Sequence, residues 1–165
     1  MWERIKAYRC LWLLAIGVVA ADQLSKAWIN TNLPFNAYFP PHNIPVIPGF
    51  FNIVHVGNTG AAWGLFTDKS YFLAILAAVT LLAIFLFRKH LLLKESPTQI
   101  CFGLLCGGIV GNLTDRLLYG HVIDFLDFHF GSYVFPSFNL ADSAICIGVG
   151  FYLLYSLKES KKESS

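Results

Sequence analysis

Long apolar stretches separated by shorter polar segments dominate this chain. Four stretches are long enough to cross a hydrocarbon core, which needs roughly 20 apolar residues. They cover residues 11–29, 71–87, 100–118 and 138–157. The pattern predicts an all-α membrane protein built as a four-transmembrane-helix bundle, in which residues 1–165 form a single integral membrane domain.

The composition agrees with a membrane location. The chain is 56% hydrophobic and only 13% charged, and its mean hydropathy is +0.57. Soluble domains carry about 25% charged residues. The composition therefore excludes an ordinary soluble protein, and we expect no nucleic-acid partner.

Basic residues set the orientation that we expect. Nine of them fall on one side of the predicted membrane: Arg4, Lys6, Arg9, Arg88, Lys89, Lys94, Lys158, Lys161 and Lys162. The two loops on the other side, residues 30–70 and 119–137, contain only Lys69. Because cytoplasmic loops are enriched in Lys and Arg, both termini are predicted to be cytoplasmic and both of these loops to face outward.

The first apolar stretch has some features of a cleavable signal peptide. A basic leader precedes an apolar core at Leu11–Val19, and the small residues Ala20 and Ala21 follow it. However, apolar residues resume after Asp22, and Trp28 suits a membrane interface. We therefore favour an uncleaved span.

Polar side chains interrupt two of these stretches near their predicted outer ends. Asp22 and Lys26 are four residues apart and share one helix face, and Asn112, Asp115 and Arg116 repeat this close spacing. Such groups are costly in hydrocarbon unless they are paired or hydrated. Their position on one side of the membrane predicts a built polar site.

Several of these residues also have a purely structural interpretation. Asp115 and Arg116 could form an ion pair that anchors a helix end, which is the interpretation we favour for them. Asp22 and Lys26 could form a local pair, and structural and functional roles remain equally open for these two. Asn139 could simply cap the fourth helix.

Other polar residues of the outer loops carry no clear chemistry. His55, His121 and His129 are scattered and lack the spacing of metal ligands. We expect Asp127 to be a solvated loop acid. The sequence therefore predicts no metal site.

Asp124 and Asp142 are the strongest candidates for chemistry. Neither has a basic partner close in sequence, and both lie among apolar neighbours. Two carboxylates that meet in a low-dielectric site share a proton, which equips them for acid–base work on water. If Asp124 folds back onto the start of the fourth helix, the pair could perform aspartic-protease chemistry at the lipid–water boundary.

Five sequence blocks, in order, resemble those of a known family. They are Asp22–Lys26, Asn58–Gly64, Gly107–Arg116, Val122–Phe125 and Phe138–Asp142. Together they are similar to the blocks of bacterial lipoprotein signal peptidase, also called signal peptidase II. The resemblance implies an intramembrane aspartic endopeptidase of the inner membrane. It would cleave the signal peptide of a prolipoprotein immediately before the cysteine that carries a diacylglyceryl group.

The resemblance also implies roles for individual residues. Asp124 and Asp142 match the catalytic pair of the family. The residues expected to bind substrate or support this pair are Asp22, Lys26, Asn58, Asn112, Asp115, Arg116 and Asn139. No metal or organic cofactor is implied. The expected partners are the lipidated prolipoprotein and membrane lipid, and we expect a monomer with its active site near the outer face.

The same resemblance implies structure outside the membrane. Family members place a small β-sheet and a loop or short helix on the outer membrane face. In this chain the run Ile44–Val56, rich in β-branched and aromatic residues, would supply strands. Gly57–Gly64 would lead back to the bilayer. Within the membrane, four glycines of the third stretch form a small-residue face for close helix packing: Gly103, Gly107, Gly108 and Gly111.

Two other functions were weighed against the peptidase. A small transporter or proton-conducting subunit would use intramembrane carboxylates and basic residues, yet the predicted inner halves of these helices are almost entirely apolar. A non-catalytic assembly factor would use the polar cluster only to hold helices together. The peptidase accounts for more of the pattern than either alternative.

Overall fold

The computed structural model describes residues 7–93 and 95–163, of which residues 160–163 are described by their backbone alone. Four α-helices of 17 or more residues lie in this part of the chain: α1 Arg9–Asn32, α2 Ser70–Leu86, α3 Ser96–Tyr119 and α4 Leu140–Glu163. Arg4, Lys6 and Lys94, which support the predicted orientation, lie outside the described residues, as do the side chains of Lys161 and Lys162.

Three of these helices are long and apolar enough to cross a membrane. They are α1, α3 and the part of α4 that covers Leu140–Glu159. The predicted span 71–87 corresponds to α2, which is apolar but has only 17 residues. The protein is therefore a mostly helical membrane protein with three candidate spans in its described part.

A small antiparallel sheet accompanies the helices. Its strands are β1 Ile44–Ile47, β2 Phe51–Asn58, β3 Val122–Phe130 and β4 Tyr133–Val134, in the order β1-β2-β3-β4. The prediction of strands within Ile44–Val56 is confirmed. The segment 119–137, predicted as a loop, contributes two further strands, because the apolar run at Val122–Leu126 pairs with β2.

Helix α3 lies between α1 and α4, and its glycines permit close contact on both sides. A Cβ atom at Gly107 would lie 2.7 Å from Val18 Cβ on α1, and one at Gly108 would collide with the carbonyl oxygen of Ala141 on α4. The small-residue face predicted from the sequence is confirmed. It serves two neighbouring helices instead of one.

The sheet is held against the C-terminal end of α1 by an apolar cluster. Ile29 and Leu33, at the end of α1, pack with Ala37 and with Ile123 and Phe125 of β3. This contact brings the start of β3 close to the polar residues of α1 and α3. It thereby sets the position of the candidate site.

Candidate active site

Asp124 and Asp142 are linked through two asparagine side chains. Asp124 lies on β3 and Asp142 in the first turn of α4. Asn139 Nδ2 donates to Asp124 Oδ1 at 2.8 Å, and Asn112 Nδ2 donates to Asp142 Oδ1 at 2.7 Å. Asn139 Nδ2 also lies 3.2 Å from Asn112 Oδ1. The two carboxylates, far apart in sequence, therefore belong to one hydrogen-bond network.

The start of α4 fixes the orientation of Asp142. The backbone N–H of Asp142 donates to Asn139 Oδ1 at 2.9 Å, and the backbone N–H of Asn139 donates to Asp142 Oδ2 at 3.2 Å. This reciprocal pair is a capping box with Asn and Asp in its two positions. The interpretation of Asn139 as a helix cap is confirmed. The same side chain also binds Asp124, so its two roles are compatible.

Lys26 is the centre of a buried charge cluster next to the two aspartates. Its Nζ lies 2.8 Å from Asp22 Oδ2, 2.7 Å from Asp115 Oδ2 and 3.0 Å from Asn112 Oδ1. Lys26 is only 2% exposed, and Asp22 and Asp115 are fully buried. The predicted local pair of Asp22 with Lys26 is confirmed, and Lys26 extends it from α1 to α3.

The favoured ion pair between Asp115 and Arg116 is wrong. Adjacent helical residues project in different directions, and Asp115 pairs with Lys26 instead. Arg116 Nη2 donates to the carbonyl oxygen of Gly60 at 2.9 Å. Arg116 therefore joins α3 to the segment that follows β2, while Asp115 joins α3 to α1.

The segment after β2 closes one side of the site. Asn58 Nδ2 donates to Asp124 Oδ2 at 2.9 Å, and Asn58 Oδ1 accepts from the N–H of Gly60 at 2.9 Å. A short 3₁₀ turn follows at Ala62–Gly64, with Trp63 in the left-handed backbone region at φ 55°. A cavity of about 300 Å³ lies between this segment and Asp124. The carboxylate therefore lies next to a space that can receive a ligand.

The surroundings of Asp124 raise the pKa of its carboxyl group into the neutral range. Burial raises the pKa of Asp124 to about 7, and the nearby charge of Asp142 acts in the same direction. Hydrogen bonds from Asn58 and Asn139 and the charge of Lys26 oppose this increase without cancelling it. A carboxyl group with a pKa close to the working pH can both donate and accept a proton.

The comparisons with known proteins point to one family. The family profile described as Signal peptidase (SPase) II matches residues 14–158, which is most of the chain. The chain belongs to this family. The lipoprotein signal peptidase of Xylella fastidiosa (strain M12) is 41% identical to this chain over 162 residues, covering 92% of this chain and 93% of the relative.

Further relatives agree with this assignment. The lipoprotein signal peptidase of Oleidesulfovibrio alaskensis is 43% identical over 151 residues, covering 87% of this chain and 92% of the relative. A bacterial membrane enzyme solved by the in meso method at 2.3 Å resolution superposes with a TM-score of 0.81. It is 36% identical, and the match covers 91% of this chain and 88% of that chain. The fold of this chain therefore matches that membrane enzyme over most of both chains.

All nine site residues predicted from the sequence lie in or next to one network in this signal peptidase II. The members that contact one another directly or through one further residue are Asp22, Lys26, Asn58, Asn112, Asp115, Arg116, Asp124, Asn139 and Asp142. Asp22 additionally accepts the N–H of Ala141 in the first turn of α4 at 3.0 Å. The network thus joins α1, α3, α4 and β3.

Sequence reasoning missed Gln23. Its Nε2 donates to Asp115 Oδ1 at 2.9 Å and lies 3.2 Å from the carbonyl oxygen of Gly111. Because Gln23 follows Asp22 directly, it lacks the spacing of three or four residues that marks a shared helix face, and helical spacing did not select it. Its side chain nevertheless reaches Asp22 Oδ2 at 3.2 Å. Its position inside the first sequence block was the available signal.

Asp127 was predicted to be a solvated loop acid, and this prediction is wrong. The residue lies on β3 and is 1% exposed. Its carboxylate accepts hydrogen bonds from Tyr38 and Asn52, and His129 Nε2 lies 2.6 Å from it. The pairing of β2 with β3, which covers Asp127, was the feature that the sequence analysis did not include.

The described histidines do not form a cluster. His55 is buried and its Nδ1 lies 3.0 Å from the carbonyl oxygen of Leu33, whereas His129 contacts Asp127. Among the side chains described for residues 7–93 and 95–159, no group of three or more His, Cys, Asp or Glu has an arrangement that could hold a metal ion.

Proposed function

We propose that this signal peptidase II is an aspartic endopeptidase that uses Asp124 and Asp142 as its catalytic pair. It removes the signal peptide from a diacylglyceryl-modified prolipoprotein by cutting immediately before the lipidated cysteine. The observation that carries this proposal is the network in which Asn139 and Asn112 connect the two carboxylates. The cavity beside Asp124 supports it.

The chemistry follows from two carboxylates that share one proton. The ionised member takes a proton from a water molecule, which then attacks the carbonyl carbon of the scissile peptide bond. The protonated member gives its proton to the carbonyl oxygen. The other member then passes the proton that it took from water to the leaving amine, and the C–N bond breaks. As the intermediate collapses, its hydroxyl proton returns to the first member, which restores the shared proton. A pKa of about 7 lets Asp124 hold or release a proton at neutral pH. The pair titrates as a unit, so the two roles belong to the pair.

Two polar residues at the rim are suited to hold the substrate backbone. Asn58 contacts both Asp124 and Gly60, and it lies on the segment that borders the cavity. Arg116 binds the carbonyl oxygen of Gly60, and its buried Nε has no hydrogen-bond partner among the described residues. Through its contact with the carbonyl oxygen, Arg116 holds Gly60, which lines the cavity, and so shapes the wall that the substrate backbone would meet.

The charge cluster around Lys26 supports the catalytic pair by fixing the residues that bind it. Lys26, with Asp22 and Asp115, joins α1 to α3, and its contact with Asn112 orients the amide that binds Asp142. We assign these residues a positioning role because they hold the catalytic groups in place and do not reach the cavity. A small displacement of reacting groups is sufficient to reduce the rate strongly.

The membrane arrangement is part of the same proposal. We propose that α2 is the fourth span of a single integral domain, that both termini are cytoplasmic, and that the site lies near the outer face of the inner membrane. The charge distribution and the apolar surface of α2 support this arrangement. A monomer in contact with membrane lipid is sufficient for the reaction, because all nine site residues belong to one chain.

The transporter alternative is not supported. The polar residues gather at one end of the helices, whereas a proton relay requires polar groups across the full membrane depth. The family match and its lipoprotein signal peptidase members also favour peptide-bond hydrolysis.

The test is cleavage of a diacylglyceryl-modified prolipoprotein by the purified protein in lipid-supplemented detergent. Asp124→Asn and Asp142→Asn should each remain folded, as judged by melting temperature, and lose activity. Asp68→Asn, which changes an exposed loop carboxylate, should cleave like the wild type. Full activity in either folded dyad variant contradicts the aspartic mechanism, and loss of folding in both favours a non-catalytic assembly role.

A further inference from the structure

Asp127 lies three residues after Asp124 on β3. Donors from separate parts of the chain occupy all the acceptor positions of its carboxylate. Oδ1 lies 3.3 Å from Tyr38 Oη and 3.3 Å from Ser137 Oγ, while Oδ2 lies 3.1 Å from Asn52 Nδ2 and 2.6 Å from His129 Nε2. A carboxylate offers about four acceptor positions. All of them are occupied, which explains how a charged group can be 1% exposed.

One of these donors belongs to the segment that leads to the catalytic helix. Residues 135–139, here called the connector, join β4 to α4. Ser137 in the connector binds Asp127, and the next residue, Phe138, exchanges backbone hydrogen bonds with Leu126 at 2.8 and 3.1 Å. Asn139 then binds Asp124. The connector thus runs antiparallel to β3, from Asp127 at one end to Asp124 at the other.

The end of this pairing determines the geometry of the dyad. Asn139 donates to Asp124 and simultaneously accepts from the N–H of Asp142. Any shift of the connector along or away from β3 would therefore move the amide that connects the two carboxylates. Ser137 is also one of the residues that line the cavity next to Asp124.

The other donors anchor Asp127 itself. Asn52 lies opposite Asp127 in the pairing of β2 with β3. Burial and the Asp127 carboxylate raise the pKa of Tyr38, so its hydroxyl keeps the proton that it donates. Tyr38 belongs to the segment between α1 and β1, which has no part in the connector.

We infer that Asp127 is a positioning residue of the peptidase reaction, which acts through Ser137 to hold the connector and thereby the Asn139 amide between Asp124 and Asp142. This inference rests on the proposed function of the dyad. Asp127 does not touch the reacting atoms in this arrangement. Its effect is on the alignment of the groups that do.

The structure offers a matched pair of variants for the test. Ser137→Ala and Tyr38→Phe each remove one hydroxyl that lies 3.3 Å from the same oxygen of Asp127. Only Ser137 belongs to the connector. We therefore expect Ser137→Ala to lower kcat by about 10- to 100-fold with KM unchanged, since misalignment of reacting groups has effects of this size. Tyr38→Phe should lower kcat much less, because Asn52 and His129 still hold the other oxygen of Asp127 and the contact with Ser137 remains.

Asp127→Ala and the double variant complete the experiment. Asp127→Ala should lower kcat at least as much as Ser137→Ala, and the double variant should be no slower than Asp127→Ala, because both changes break the same contact. Ser137→Thr, which retains the hydroxyl, should recover most of the lost kcat. All rates are measured on the full-length protein in detergent with a diacylglyceryl-modified prolipoprotein peptide, with melting temperatures alongside.

Several results would overturn the inference. They are a wild-type kcat in folded Ser137→Ala, a rise in KM alone, additive losses in the double variant, or an equal loss of kcat in Tyr38→Phe. If Asp127→Ala does not fold, the serine and tyrosine variants decide the question alone. Asp124→Asn is assayed in parallel, because activity in that variant refutes the dyad, whereas an inactive Asp124→Asn with a fully active Ser137→Ala refutes only the role of Asp127.

Discussion

Lys26 holds two buried carboxylates at once. It is the only described cation within 4 Å of Asp22 or Asp115, and all three side chains are almost completely buried. Removing one partner from a buried ion pair costs much more than removing an exposed pair, because the remaining charge stays without compensation. At the residue scale, Lys26 is therefore the side chain on which the cluster depends most.

Lys26→Met should destabilise the protein by about 3–5 kcal/mol, because it leaves two buried carboxylates without a counter-ion. Lys158→Met, at an exposed position of α4, should change the melting temperature very little. Adding Asp115→Asn to Lys26→Met should recover part of the loss by removing one stranded charge. Thermal unfolding in a single detergent measures all three. A melting temperature of Lys26→Met equal to that of the wild type would contradict the assignment.

Asp124 should make the stability depend on pH. Its native pKa of about 7 lies above the ordinary value of 3.8, so between these values the native state holds a proton that the unfolded chain has lost. Stability from this group is complete below about pH 4 and decreases as the pH rises to about 7. As the pH rises across this range, we therefore expect the melting temperature of the wild type to fall relative to that of Asp124→Asn. Parallel curves for the two proteins would refute the raised pKa.

At the scale of elements, α3 is the central helix, because it packs against both α1 and α4. Gly103 and Gly107 face α1. Gly108 faces the backbone of α4 at Ala141, the residue that precedes Asp142. Association of helices in lipid depends on such close backbone packing, because lipid tails are as apolar as the side chains. The distance between α3 and α4 also determines whether Asn112 can reach Asp142.

Gly108→Ala should cost about 1–3 kcal/mol and lower activity, because its Cβ would collide with the carbonyl oxygen of Ala141. Gly17→Ala is the matched control, since its Cβ meets no atom within 4 Å. It should be neutral or stabilising by up to about 1 kcal/mol, because alanine favours a helix more than glycine. Unfolding and cleavage assays on both variants test the difference. Equal melting temperatures would show that α3 and α4 can separate without cost.

At the scale of the whole molecule, the network combines segments that are distant in the chain. Asp22 on α1 accepts the N–H of Ala141 on α4, 119 residues away, and Asp115 on α3 accepts the N–H of Ile123 at the start of β3. The sheet and the helices therefore cannot shift relative to each other without breaking buried hydrogen bonds. This coupling holds the sheet and the helices together around the polar network.

The proposed topology can be tested at the two ends of α2. Lys69 lies just before the first residue of α2 and Lys89 lies beyond its last residue, and both are exposed. In a variant whose four native cysteines are replaced by alanine, Lys69→Cys should react with a membrane-impermeant thiol reagent added to intact spheroplasts. Lys89→Cys should react only after the membrane is opened. Reaction of both cysteines in intact cells would exclude α2 as a span.

The sequence by itself determined the features that depend on local chemistry. The apolar lengths located all four helices, with the largest difference at the end of α4, which continues to Glu163 where the prediction ended at residue 157. Helical spacing allowed the pair of Asp22 with Lys26. The cap at Asn139 and the glycine face of α3 also follow from short-range patterns. Polar residues within apolar stretches indicated most of the candidate site, and Asp124 and Asp142 were selected as carboxylates among apolar neighbours. Resemblance to the family then added Asn58 and the roles expected of each residue, because ordered sequence blocks do not require knowledge of contacts.

The tertiary structure alone decided which distant groups meet. Asp115 binds Lys26 and not Arg116, since the packing of α1 against α3 determines its partner. The burial of Asp127 depends on the pairing of β2 with β3 and on the position of Ser137, neither of which a local pattern contains. The raised pKa of Asp124 likewise reflects desolvation by surrounding elements. Burial and long-range pairing are properties of the closed fold, and they determine the electrostatics of the site.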